Sequence, residues 1–231
     1  MTKPTALVTG LGKALAIRLA PTHNLILCDL NPDPAFMKSL PSAIFVKANV
    51  ADYKEFEQVF KAGIEKYGEI NILVNNAGIT ESVPFPTSNE EDWKRVVDVD
   101  LNGVIIGCRL ALDYLSNGVV INVASVAGLT GFAFQQPIYT AVVGLSKSMV
   151  LFCKRKGLRV NCICPGFVRT PLVTASEKKG YKTTGNLVDI NLVVDGFIKI
   201  INGKMTGQVY SVTKDGISLH AFNEKELIAK I

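Results

Sequence analysis

Gly10-Leu11-Gly12 closes an apolar run, Thr5–Thr9, and opens a helical pattern at Lys13. A glycine-rich turn leading into a helix start offers free backbone N–H groups, the chemistry that holds a pyrophosphate. Alone the pattern is weak, because many tight strand-to-helix turns need glycine. The third small residue of a G-x-G-x-x-G/A fingerprint falls on Leu15, a side chain that would hold the helix away from the strand. Asp29 strengthens the case. It ends a second apolar run 19 residues after Gly10, close to the roughly 20-residue spacing at which a carboxylate meets an adenosine ribose. No arginine adjoins it to receive a 2′-phosphate, so the pair points to NAD rather than NADP. A plainer reading stands beside it: Asp29 caps the turn at Asn31-Pro32. The residues by themselves leave both open.

These groups need a scaffold, and the rest of the chain supplies one. Candidate strands are Thr5–Thr9, Asn24–Asp29, Ala43–Lys47, Ile70–Asn75, Gly118–Val123, Leu158–Ile163 and Gln208–Val212. Most are rich in Val, Ile and Leu without alternation, as strands covered on both faces are. Helical patterns lie between them: Lys13–Ala20, Tyr53–Tyr67, a long Glu90–Leu115 with Ser88 and Asn89 as caps, Ile138–Lys156 and Leu192–Ile201. Such alternation predicts βαβ units with right-handed crossovers. The fold class is α/β, a doubly wound parallel sheet of about seven strands in one domain spanning residues 1–231. The stretch Pro165–Asn191 has few large apolar residues and reads as a substrate-side loop or a plain surface loop.

Composition narrows the function. In 231 residues, 48% are hydrophobic and 19% charged, which excludes a disordered chain. No run of about 18 apolar residues occurs, so no membrane-spanning helix is expected. Residues 1–20 imitate a leader peptide, but Gly10, Gly12, Lys13 and Arg18 interrupt the apolar part. The net charge of +5 is spread out, with Lys154-Arg155-Lys156 the densest group. That group reads as a solvated helix end, and no nucleic-acid partner is expected. The five cysteines, Cys28, Cys108, Cys153, Cys162 and Cys164, sit among apolar residues in an odd number, which fits reduced thiols in a cytoplasmic protein. With only His23 and His220, no metal site is expected.

Further motifs fall in a telling order. Asn75-Asn76-Ala77-Gly78 follows the fourth strand and Asn122-Val123-Ala124-Ser125 spans the end of the fifth. Tyr139 comes 14 residues after Ser125, and Pro165-Gly166 follows the sixth strand. Over nearly its whole length the chain resembles the short-chain dehydrogenase/reductase family, whose fold is the Rossmann type. Gln135-Gln136-Pro137-Ile138-Tyr139 and Cys164-Pro165-Gly166-Phe167-Val168 resemble an NAD-dependent subgroup acting on hydroxylated fatty acids of the prostaglandin kind. The resemblance implies catalytic roles for Ser125, which would hydrogen-bond the reacting oxygen, for Tyr139, which would exchange its proton, and for Gln136 in substrate placement. It implies that Gly10 and Gly12 meet the cofactor phosphates, Asp29 the ribose, Asn49 and Val50 the adenine, and Asn75 and Gly78 the adenosine side. Pro165, Gly166, Val168 and Thr170 would hold the nicotinamide. A small-molecule alcohol substrate and a homodimer or tetramer packed through Trp93–Leu115 and Ile138–Lys156 follow from the same likeness. Phe132, Phe134, Phe167, Leu172 and Val173 flank these residues, so the substrate is expected to be apolar; the bland alternative makes them core.

Oxidising a secondary alcohol removes a proton from oxygen and a hydride from carbon, and the protein must supply the base. A free phenol ionises near pH 10, so favouring its anion at neutrality takes about 4 kcal/mol. In the family a lysine four residues after the tyrosine helps. Here position 143 is valine, and Lys147 lies eight residues on, about 12 Å along a helix. A block of four residues is absent relative to the family after Ala141, and another after Gly10. Asp100 stands where the family has asparagine. Three readings stay open: the molecule contains residues the sequence lacks, it is a deletion variant with impaired catalysis, or it is a non-catalytic nucleotide-binding or interaction protein of the same fold.

Overall fold

The computed structural model describes residues 3–10, 12–80, 88–130, 137–170 and 187–221. Eight strands form one sheet: β1 Thr5–Thr9, β2 Asn24–Asp29, β3 Ala43–Lys47, β4 Ile70–Asn75, β5 Leu115–Val123, β6 Arg159–Pro165, β7 Val209–Thr213 and β8 Gly216–Leu219. Their order is β3-β2-β1-β4-β5-β6-β7-β8. All neighbours pair parallel except β7 and β8. The chain runs outward from β1 to β3, then returns to lay β4 on the other side of β1. That reversal opens a crevice at the carboxyl ends of β1 and β4, where ligands of such sheets bind.

The strands are buried because both faces are covered. On one face α3 (Tyr53–Tyr67), α5 (Gly103–Tyr114) and α7 (Pro137–Ser148) cover Leu7, Ile26, Leu73, Val120, Val160 and their neighbours. On the other, α1 (Lys13–Leu19) and α9 (Ile190–Asn202) cover Ala6, Val8, Leu25, Ile121 and Ile163. The other helices among the described residues are α2 (Pro34–Lys38), α4 (Glu90–Val97), α6 (Ala127–Thr130) and α8 (Val150–Arg155). Side-chain caps start several of them: Asp33, Asp52, Asn89 and Asp189 each accept a backbone N–H of the first turn.

The sequence reading differs from this in four places. To the seven candidate strands the sheet adds an eighth, β8, a short edge strand, half-exposed and without an apolar run, which pairs antiparallel. The single helix expected over Glu90–Leu115 is α4, a π turn at Asp98–Asn102 and α5, and Leu115 already belongs to β5, paired with Ile70. The helix expected over Ile138–Lys156 divides at Met149 into α7 and α8, though hydrogen bonds bridge the division. The expected loop Pro165–Asn191 is bounded more tightly: Pro165 ends β6, Val168 pairs with Val188, and Ile190 starts α9. Residues 171–186 lie outside the described residues.

Candidate active site

Where β1 and β4 end side by side, the turns that follow them are tied together. The Thr9 hydroxyl accepts N–H bonds from Asn76 at 3.0 Å and Ala77 at 2.9 Å, and donates to the Val74 carbonyl at 3.4 Å. Asn76 Nδ2 donates to the Thr9 carbonyl at 2.9 Å. Gly10 and Gly12 have φ of +70° and +43°, a left-handed conformation that costs other residues about 1–2 kcal/mol. A Cβ on Gly10 would come within 2.7 Å of Ala77 Cα, and one on Gly12 within 2.6 Å of Val8 Cγ1. Both glycines are therefore required by conformation and by close approach. The Gly12 N–H is spent on the Gly10 carbonyl at 2.6 Å, so it serves the turn itself. Leu15 packs into the core of the α1 face, a leucine where the fingerprint has glycine.

Asp29 caps the turn, the plainer of the two roles the sequence left open for it. One carboxylate oxygen accepts the Asn31 N–H at 2.8 Å and caps the turn. The other makes no hydrogen bond among the described residues. Gly10 N–H donates to the Cys28 carbonyl at 2.8 Å, which sets this strand end beside the glycine turn. Asn49 uses its side-chain oxygen to accept the Ala51 N–H at 3.0 Å. Val50 is buried against Gly103, where a Cβ would come within 2.9 Å of Val50 Cγ2. Thr9, Val50, Asn75, Ala77, Val99 and Gly103 line a narrow recess in the crevice. Asn75 Nδ2 donates to Asn122 Oδ1 at 2.8 Å, while Asn75 Oδ1 is a buried acceptor with no partner. Gly78 is exposed beside Asp100, whose Oδ1 accepts the Ile79 N–H at 2.8 Å.

On the other side of the crevice, Ser125 follows β5 and Pro165 ends β6. Val126 N–H donates to the Pro165 carbonyl at 3.1 Å, holding the two strand ends together. Ser125 Oγ accepts the Ala127 N–H at 3.2 Å and is half-buried. Tyr139 sits in the first turn of α7, packed on α6 so closely that a Cβ on Gly128 would lie 2.9 Å from Tyr139 Cβ. Gly166 N–H donates to the Val212 carbonyl at 2.8 Å; Val168 and Thr170 are half-buried just beyond. Gln136, Phe132, Phe134, Leu172 and Val173 lie outside the described residues. Helix α7 runs unbroken through Ala141 and Val142. One turn after Tyr139, Val143 is 3% exposed in the core, and no ammonium stands at that position. Lys147 is a further turn along and half-buried.

Sequence reasoning missed the polar network behind this wall. Asn122, fully buried on β5, donates to Ser146 Oγ on α7 at 3.0 Å, and Ser146 donates to the Val142 carbonyl at 2.7 Å. With Asn75 this makes a chain from β4 through β5 into α7. Cys108 lies against it, its thiol pushed up to about 12 by burial, against an opposing hydrogen bond from Asn122. The available signal was polar residues inside apolar runs, which a strand-by-strand reading passes over. All five cysteines are free and buried. Among the described residues no group of three or more His, Cys, Asp or Glu could hold a metal, and no helix is long and apolar enough to cross a membrane.

Does a nicotinamide dinucleotide fit these residues? On the β1–β2–β4 side it does: two obligatory glycines in the turn after β1 and an open carboxylate oxygen at the end of β2 stand at the crevice. These are features of a dinucleotide-binding α/β sheet. The family model for short chain dehydrogenases matches residues 5–180, and the chain belongs to that family. It is 31% identical to rat (Rattus norvegicus) 15-hydroxyprostaglandin dehydrogenase [NAD(+)] over 197 residues, covering 74% of this chain and 71% of that one. It is 34% identical to a 3-oxoacyl-[acyl-carrier-protein] reductase of Synechocystis sp. over 191 residues, covering 74% and 77%. The crystal structure of levodione reductase superposes with a TM-score of 0.82 at 25% identity, over 93% of this chain and 97% of that one.

Proposed function

We propose that the protein oxidises a secondary hydroxyl on an apolar, hydroxylated fatty-acid-like substrate to the ketone, with NAD as its cofactor. The observation that carries this reading is the open Asp29 oxygen beside the Gly10 turn. A carboxylate oxygen there accepts the 2′-hydroxyl of an adenosine ribose and repels a 2′-phosphate. Gly10 and Gly12 let the chain approach the phosphates, Asn49, Val50, Asn75 and Gly78 line the adenosine side, and Pro165, Gly166, Val168 and Thr170 frame the nicotinamide. NAD, when bound, supplies the hydride acceptor. Ser125 holds the substrate oxygen, the Tyr139 phenol oxygen takes its proton, and Gln136 orients the substrate.

The relatives support the oxidoreductase class, and the prostaglandin enzyme's name supports NAD and the substrate class. Free buried thiols support a cytoplasmic location, and the prostaglandin enzyme's name supports a place in lipid metabolism. Exposed Ile105 on α5 and Leu151 and Phe152 on α8 support a homodimer. The test is twofold: calorimetric titration with NADH, and NADH formation from NAD with hydroxylated fatty acids and small secondary alcohols. Saturable binding with turnover is expected. Binding without turnover on any secondary alcohol overturns the catalytic part, and an intact mass above 25.0 kDa would trace the missing lysine to residues absent from the sequence.

A further inference from the structure

We infer that Asp33 sets cofactor preference by holding Lys13 away from the place where a 2′-phosphate would lie. The inference rests on the reading that the β1–β4 crevice takes a dinucleotide. Lys13 opens α1 directly after Gly12. Its Nζ lies 2.5 Å from Asp33 Oδ2 and 5.4 Å from the centre of the Phe36 ring. Asp33 is itself fixed, because its Oδ1 accepts the Phe36 N–H at 2.9 Å and starts α2. Four residues earlier, Asp29 carries the open carboxylate oxygen. Lys47, in register with Asp29 on β3, is exposed.

The rim of the adenosine side thus has two carboxylates and two ammonium groups, and one ammonium is already engaged. Lys13 and Asp33 side chains are 52% and 31% exposed, and a pair that open to water adds little to stability. Its effect is on what binds nearby. A phosphate monoester brings about two negative charges and needs a cation; it finds Lys13 occupied and a second carboxylate beside it. A ribose hydroxyl brings no charge and is indifferent to the pair. Asp29 alone would disfavour NADP, and Asp33 deepens the discrimination through Lys13. Sequence spacing gave no hint of this, since Lys13 and Asp33 are 20 residues apart.

The test compares NADH and NADPH dissociation constants by calorimetry for the native chain, Asp33→Asn, Asp33→Asn/Lys13→Met and Asp33→Asn/Lys47→Met. Asparagine still accepts the Phe36 N–H, so the α2 cap survives while the charge is removed; circular dichroism checks the fold. In Asp33→Asn the NADPH-to-NADH preference is expected to move toward NADPH by about tenfold, the size of one freed charge-assisted contact. Adding Lys13→Met should return most of that gain, and adding Lys47→Met should not. A preference unmoved in Asp33→Asn, or a gain that survives Lys13→Met, overturns the inference while leaving NADH binding intact. Failure of the native chain to bind either dinucleotide removes the crevice reading and this inference with it.

Discussion

The two halves of the crevice are built to different standards. On the adenosine side, β1, β2 and β4 carry what a dinucleotide needs, with two glycines that nothing else can replace and a carboxylate oxygen left open. On the proposed reactive side, Ser125 follows β5 and Tyr139 opens α7, and one turn further along that helix Val143 is buried in the core. Binding and chemistry are therefore separable demands here. Dinucleotide binding rests on backbone conformation and strand ends, whereas proton transfer at a phenol rests on the charges set around it.

Three measurements break or sharpen that contrast. Tyr139→Phe should lower kcat by about 10³-fold, within the range of a lost general base, while the NADH dissociation constant stays within about twofold. An unchanged kcat would remove Tyr139 from the mechanism. Asp29→Ala should do the opposite, weakening NADH about tenfold or more with less change in kcat; equal losses in both would blur the division. Val143→Lys places an ammonium one turn from Tyr139, which favours the phenolate, so the midpoint of the pH–rate profile should fall by about 1–2 pH units. A stationary midpoint would say that the missing cation is not what limits the reactive half.

The smallest effect concerns stability. Burial pushes the Cys28 and Cys108 thiols up to about 12 and Cys153 to about 11. The unfolded chain releases these protons from about pH 8.5 upward. The folded chain then binds more protons than the unfolded one, and stability falls as pH rises from there toward 12. Urea midpoints should drop steadily between about pH 9 and 10.5, and Cys→Ser changes should flatten the slope. A flat native profile would mean the thiols are not held as tightly as their burial requires.

Much of this was legible in the sequence, and the limits have physical causes. Strands β1 to β4 announce themselves because they are apolar on both faces, and the Gly10–Asp29 spacing survives because both residues sit at strand ends. The π turn at Asp98–Asn102 was invisible, since helical periodicity is nearly kept across one wide turn. So was β8, whose four residues alternate without an apolar run. The Asn75–Asn122–Ser146 chain could not be foreseen: it depends on β4, β5 and α7 meeting in space, and no spacing along the chain encodes that meeting. Asp29 shows the reverse case, in which two rival readings each claim one oxygen of the same carboxylate.

Thr9 deserves a last consequence. One hydroxyl accepts two amide protons from the far strand's turn and donates to that strand's last carbonyl but one. It acts as a rivet that fastens the two lips of the cleft to each other. The amide protons of Asn76 and Ala77 should accordingly exchange with deuterium in step with buried β1, as though the turn were already part of the sheet.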